Sequence, residues 1–364
     1  MAEGFLSRRQ FLAGSATIAL AGMFGMMTGC AAGGSGAAAG AESRKGAGGA
    51  AAAADPLTMV WLPDNSSADL TSSREAIGAA ITAACGRKAN LLTTTDYNVA
   101  IEAIASGKAQ MALLGAEGYV QANKKNAKVL AAFTNSDEDG KLDGACYYSR
   151  ICVAAENADQ YQSGSGYSIE NIKGKAFSFV SATSTSGFKV PSSGIVEEFG
   201  LSGSDELLEA GKFFSEVLFG NSHQGSAVNL LSGDVDAAAF DDVDVDMYLD
   251  LVSGKANSVG AVYQAKADAA APFDTVRGKQ FAIIAITPVL NAPICFNEEA
   301  LSDDERTKIV DYFCSSKVAD DPKIFVDPDD ENAKGIFEKD SEKTCFVKTT
   351  DDWYEPVRKL GGAA

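Results

Sequence analysis

The alternation of apolar and polar positions from Leu57 to Leu360 divides the chain into strands and helices that follow one another in turn. Leu57 to Leu62 alternates as a strand and breaks at Pro63-Asp64-Asn65-Ser66-Ser67, after which Ile77, Ile81 and Ala84 recur at helical spacing. Asn90 to Thr95 reads as a second strand, with Asp96 placed to cap a helix carrying Val99, Ile101 and Ile104 that stops at Gly107. Met111 to Leu114 is a short buried strand, and Tyr147 to Ala155 is a longer one rich in β-branched and aromatic residues.

Past a Gly/Ser loop at 163–166 the same grammar restarts: a strand at Ala176–Val180, a helix reaching Phe199, a strand at Phe213–Leu218, and a helix at Ala227–Leu231 ending on Gly233. Val235–Phe240 then reads as a small-residue strand, Met247–Val252 as helix, Phe281–Ile286 as a continuous apolar strand, and Glu305–Phe313 as an amphipathic helix. Such alternation predicts an α/β protein with parallel sheets covered by helices.

The pattern forms two similar halves, so we expect two lobes: residues 55–150 with 287–364, and residues 151–286. The chain crosses twice at a two-strand hinge and leaves a ligand cleft between the lobes. In open parallel sheets ligands sit beyond the carboxyl ends of the strands, where Ser66, Tyr97, Gly115 to Tyr119, Ser184 to Ser186, His223 and Asp241 fall.

Residues 181–191, Ser-Ala-Thr-Ser-Thr-Ser-Gly-Phe-Lys-Val-Pro, join the Ala176 strand to the following helix. A helix start leaves backbone N–H groups unpaired and carries partial positive charge, so hydroxyls there can complete a pocket for a tetrahedral oxyanion. The same residues serve as ordinary caps, and Pro191 fits a first turn where no N–H is required. His223 is the sole histidine and stands at a loop-to-helix junction, able to offer an N–H while neutral or a charge if protonated. Tyr97 and Tyr119 read either as core aromatics or, because a buried hydroxyl needs a partner, as groups that meet a ligand oxygen, while Asp241 and Asp242 follow a strand directly and read as an acidic solvated face.

Composition narrows the function classes. Of the 364 residues 46% are hydrophobic, enough for two packed lobes, and the formal net charge is -18 with no basic stripe, which argues against nucleic acid as a partner. An anionic ligand would be held by local dipoles and hydrogen bonds against that field.

The first 30 residues carry Ser7-Arg8-Arg9-Gln10-Phe11-Leu12, an apolar segment, and Met27-Thr28-Gly29-Cys30, the pattern of a twin-arginine export signal ending at a lipidated cysteine. Residues 31–54, nearly all Ala, Gly and Ser, read as a flexible tether. With Cys30 lipidated, Cys85, Cys146, Cys152, Cys295, Cys314 and Cys345 remain, and in an exported chain we expect at least one disulfide among them.

Catalysis finds little support. One histidine allows a single Ser-His pairing, and no Gly-x-Ser-x-Gly elbow occurs. Cysteines at zinc-finger spacing are missing from the sequence, and Asp242-x-Asp244-x-Asp246 begins like a calcium loop but has Met247 where the glycine belongs. We expect no enzyme activity, cofactor or metal.

The chain from about Leu57 to Leu360 resembles the phosphate, phosphite and phosphonate substrate-binding proteins of ABC importers. The resemblance rests on Asp96-Tyr97, Gly115-Ala-Glu-Gly-Tyr119, Ser184-Thr185-Ser186-Gly187 with Pro191, Ser222-His223-Gln-Gly-Ser226, Gly233-Asp234-Val235-Asp236-Ala237 and Tyr354-Glu-Pro-Val357, in that order. It implies a type II periplasmic-binding-protein fold, a small phosphorus oxyanion as ligand, and an ABC permease and ATPase as partners at the extracytoplasmic membrane face. It also implies that Ser184, Thr185, Ser186 and His223 hold the oxyanion while Tyr97 and Tyr119 close over it. Family members that bind aminoalkylphosphonates use carboxylates for the ammonium, the place that Asp241 and Asp242 would take. The family tends to set a ligand-facing polar residue near Asn291, and the Gly115-Ala-Glu117-Gly118 loop departs from the commoner Gly-Pro form. A sensory module that docks on a membrane signalling partner would use the same cleft.

Overall fold

A computed structural model describes residues 55–164, 166–328, 330 and 333–360. The export signal, the tether and Cys30 lie outside the described residues.

The first lobe begins with strand β1 (Leu57–Trp61), helix α1 (Thr71–Cys85), β2 (Ala89–Thr93), α2 (Tyr97–Ala105), β3 (Met111–Leu113), α3 (Ala116–Lys125) and β4 (Val129–Asn135). α1 stops on Gly86, whose φ of 79° is open to glycine at no steric cost, and α2 starts where the Asp96 carboxylate accepts the Asn98 N–H at 2.7 Å.

The chain then enters the second lobe through β5 (Cys146–Ala154), followed by β6 (Ala176–Phe179), α4 (Val190–Phe199), β7 (Glu216–Phe219), α5 (His223–Ser232), β8 (Ala237–Asp241), β9 (Leu249–Ser253), β10 (Val262–Ala265) and β11 (Gln280–Leu290). It returns to the first lobe for β12 (Ile294–Asn297), α6 (Asp303–Phe313), β13 (Phe346–Lys348) and α7 (Glu355–Lys359).

The first sheet has six strands in the order β13-β4-β12-β3-β1-β2, and the second has seven in the order β9-β10-β11-β5-β8-β6-β7. The chain leaves the first sheet between Asn135 and Cys146 and comes back between Leu290 and Ile294. β5 and β11 run antiparallel beside each other through this crossing, with Arg150 opposite Ile286, and form the paired hinge strands.

Three elements differ from the sequence reading. Both sheets are mixed rather than parallel: the returning chain pairs β12 antiparallel to β3 and β4 in the first, and β5 lies antiparallel to β8 and β11 in the second. Met247–Val252 is one short turn followed by strand β9, since pairing with β10 (Leu249 opposite Ala265) outweighs a weak helical period. The disulfide expectation is also corrected: Cys85, Cys146, Cys152, Cys295, Cys314 and Cys345 are all free thiols. Cys152 and Cys295 are fully buried in different sheets, where they pack as small apolar side chains.

Each sheet buries its own aromatic core. Phe133 packs against Phe296, Phe313 and Phe346 in the first lobe, with ring centroids 5.0–6.2 Å apart. Phe177, Phe179 and Phe214 do the same in the second at 4.5–6.0 Å. Truncating one such ring costs about 3–5 kcal/mol, so each lobe is a firm platform for the loops at its strand ends.

Candidate functional site

Those loops converge. The segments after β1, β2 and β3 in one lobe, and after β6, β7 and β8 in the other, enclose a cavity of about 100 Å³, room for one small ligand or a few waters.

The Ser184–Ser186 turn forms one wall. The Ser184 side chain caps the turn by accepting the Gly187 N–H at 3.1 Å, so its own hydrogen is free to donate. A single wide turn, Thr185–Lys189, leads into α4 with Pro191 in its first turn. The three hydroxyl residues are at most 2% exposed. Hydroxyls and helix-start dipoles thus meet in a place that water barely reaches, where their hydrogen bonds to an anion are strengthened.

His223 opens α5, which Ser222 caps by accepting the Gly225 N–H at 2.9 Å. Its Nδ1 accepts the backbone N–H of Asp241 at 3.0 Å. An acceptor at Nδ1 leaves the ring hydrogen on Nε2. That Nε2 lies 3.4 Å from Ser184 Oγ, 3.5 Å from Ser186 Oγ and 3.3 Å from Asp241 Oδ2, so it donates into the junction of turn and cavity. Asp64 and Asp244 approach His223 closely enough for their ligating atoms to fall within 4.8 Å of one another. With both ring nitrogens engaged in this way, however, the imidazole has no lone pair to give a metal.

The cleft is closed across the lobes. Asp64, in the turn after β1, accepts the Tyr97 hydroxyl at 2.5 Å and the backbone N–H of His223 at 2.7 Å, while its backbone carbonyl accepts Gln224 Nε2 at 3.1 Å. Thr185 Oγ1 accepts the Glu117 N–H at 2.9 Å from the start of α3. Gly115 makes that approach feasible, since a Cβ there would stand 2.7 Å from Thr185 Oγ1.

Of the residues expected from sequence, Tyr97, Ser184, Thr185, Ser186, His223 and Asp241 line the cavity. Tyr119 points elsewhere: its hydroxyl donates to Asp351 at 2.6 Å and its ring packs edge-on against Tyr354. Asp242 also turns away, accepting the Tyr148 N–H at 2.9 Å and Asn257 Nδ2 at 2.8 Å. Glu117 is held by Gln121 Nε2 at 2.9 Å and stays off the cavity wall.

Sequence reasoning missed Asp64, Tyr147 and Asp244, all on the wall, and noted Asn291 only through the resemblance. Tyr147 donates to Ser186 Oγ at 3.1 Å, and Ser149 two residues on donates to the Ser186 carbonyl at 2.6 Å. The period-two alternation of β5 was a readable signal for that pair.

The wall is acidic. Burial holds the Asp241 carboxyl well above the usual aspartate range, and Asp242 and Asp64 add to the shift. Asp244 is pushed up in the same direction by loss of solvent, then by Asp241 and Asp64. Burial, followed by nearby aspartates, also raises the Tyr97 and Tyr147 hydroxyls well above an ordinary tyrosine. No lysine or arginine lines the cavity among the described residues; Leu62, Leu113, Val243, Ala292, Ile336 and Phe337 supply an apolar side.

Residues 59–354 match the model of a family described as the phosphonate periplasmic substrate-binding proteins of ABC transporters. A curated relative, the phosphate-import protein PhnD of Mycolicibacterium smegmatis, is 28% identical over 189 residues, which are 51% of this chain and 56% of that protein. The chain thus matches about half the length of this relative. A binding-protein component of an ABC phosphonate transporter from Pseudomonas aeruginosa superposes with a TM-score of 0.60 at 18% identity, covering 84% of both chains. PhnD1 of Prochlorococcus marinus, solved with methylphosphonate, superposes with a TM-score of 0.57 at 16% identity, covering 84% of this chain and 97% of that one. The two-lobed architecture is the type II periplasmic-binding-protein fold. With four-fifths of its length inside the family match, the chain belongs to the phosphonate substrate-binding proteins of ABC transporters, a family of binding proteins rather than enzymes.

Proposed function

We propose that this protein is a lipid-anchored receptor on the extracytoplasmic face of the membrane that captures a small phosphorus oxyanion, a phosphonate, phosphite or phosphate, and delivers it to an ABC permease and its ATPase. The observation that carries this reading is the meeting of the Ser184–Ser186 hydroxyls with His223 Nε2 at the mouths of two helices, inside a cavity sized for one small ligand. Closure of the lobes through Asp64 and Thr185 supplies the desolvation that lets uncharged donors hold an anion in a chain of net charge -18. The Cys30 pattern gives the anchor, one lipid-modified end holding the receptor near its permease.

Calorimetric titration of the ligand-stripped soluble domain against phosphate, phosphite, methylphosphonate and sulfate tests this. Tight binding of a phosphorus compound, weakened about 10- to 100-fold by Ser184→Ala or by Ser186→Ala alone, is the expected result, each lost bond to a charged group being worth about 1.5–3 kcal/mol. Silence towards every phosphorus compound would remove the ligand assignment.

A further inference from the structure

The oxyanion donors of this cleft are interleaved with a carboxylate. Asp241 Oδ2 accepts the Ser186 hydroxyl at 3.2 Å and lies 3.3 Å from His223 Nε2, so the two hydrogens best placed to turn towards a ligand oxygen both converge on this carboxylate. A ligand oxygen that takes both donors must therefore lie beside Asp241. Two negatively charged oxygens at that spacing repel strongly in a buried site, whereas a hydrogen between them turns the contact into a short charge-assisted bond.

Among the described residues, the surroundings offer no other neutralising charge. Asp241 is faced by Asp64 from the turn after β1, Tyr97 from α2, Tyr147 from β5, His223 from α5, and Asp242 and Asp244 from its own segment. His223 keeps its hydrogen on Nε2 and directs Nδ1 at a backbone N–H, so it is arranged as a donor. The nearby cations are committed elsewhere: Arg150 to Asp246 at 2.6 Å, and Lys189 towards Glu117 at 4.0 Å.

We propose that Asp241 and the bound oxyanion share one proton, so that ligand capture is linked to proton uptake and the cleft selects oxyanions that carry or accept a hydrogen at that oxygen. This rests on the reading of the cleft as a phosphorus-oxyanion site. The same bound state is reached from a monoanionic ligand and ionised Asp241, or from a dianion and protonated Asp241. Once both partners are ionised, a proton must be drawn from solvent for the complex to form.

The test is titration of the soluble wild-type domain with methylphosphonate from pH 6 to pH 10, in two buffers of different ionisation enthalpy, so that the protons taken up are counted directly. At the alkaline end the expected result is uptake approaching one proton and affinity falling towards tenfold per pH unit. Asp241→Asn presents a fixed N–H donor in place of the shared proton, so its affinity should lose most of that pH dependence. Affinity that stays flat to pH 10 with no proton uptake in the wild type overturns the proposal whether or not the variant folds. So does 2-aminoethylphosphonate binding far more tightly than methylphosphonate with no proton taken up, because the carboxylates would then be serving an ammonium group. Absence of binding at every pH would instead defeat the phosphorus-oxyanion reading beneath it.

Discussion

The Nδ1 of His223 accepts the backbone N–H of Asp241 at 3.0 Å, and this one contact decides what the imidazole can do. It joins the first residue of α5 to the last residue of β8 and leaves the hydrogen on Nε2, facing the serine turn. Because His223 is the only histidine of the chain, its ring nitrogens can be read without assignment ambiguity. Long-range nitrogen–proton correlation spectra of the labelled domain at neutral pH are expected to show the Nε2–H tautomer. A predominant Nδ1–H form would contradict the donor role.

Gly115 and Thr185 set how closely the lobes approach. A methyl group at Gly115 would stand 2.7 Å from Thr185 Oγ1, in the place where that oxygen accepts the Glu117 N–H. Gly115→Ala is expected to hold the lobes apart and weaken ligand binding by a cost of about 1–3 kcal/mol, as overpacking does. Each lobe should keep its own fold. Titration together with a thermal melt checks this: lower affinity at nearly unchanged melting temperature is the expected pair of results.

Tyr119 and Tyr147 should separate cleanly. The Tyr119 hydroxyl is spent on Asp351, which Arg358 also contacts, whereas the Tyr147 hydroxyl reaches Ser186 in the cavity. Tyr119→Phe is expected to lower stability by about 1 kcal/mol, the worth of an ordinary hydrogen bond, and to leave affinity alone. Tyr147→Phe should weaken binding several-fold with a smaller effect on stability. Chemical denaturation and titration of both variants measure the contrast.

The raised carboxyl of Asp241 has a consequence for the ligand-free protein. Its folded form holds a proton that the unfolded chain releases at the ordinary aspartate value, near pH 4. The stabilising contribution is therefore fully present below about pH 4 and is lost as pH rises through the raised value. Asp244 acts in the same direction. Urea unfolding of the ligand-free domain is expected to show this contribution declining above about pH 4, and Asp241→Asn should flatten the decline. A decline of the same size in the variant would contradict the assignment.

The parts of the site that were legible in sequence are those fixed by local chemistry. Ser184 to Ser186, His223 and Asp241 each stand where a strand or helix ends, so short-range periodicity sufficed to place them. Asp64 was read only as a turn residue, because its partners Tyr97 and His223 lie 33 and 159 residues away, and His223 arrives only when the lobes meet. Tyr119 shows the same separation in reverse: its hydroxyl's partner Asp351 is 232 residues further on, and nothing local announces it. The strands β4, β10 and β12 escaped notice because their identity as strands depends on neighbours far along the chain.

The most direct measurement is a crystal structure of the soluble domain grown with methylphosphonate. The expected result is phosphonate oxygens within hydrogen-bond reach of Ser184 Oγ, Ser186 Oγ and His223 Nε2, one of them beside Asp241 Oδ2. Ligand density confined to another surface, or oxygens turned away from the serine turn and His223, would contradict the assignment of this cleft.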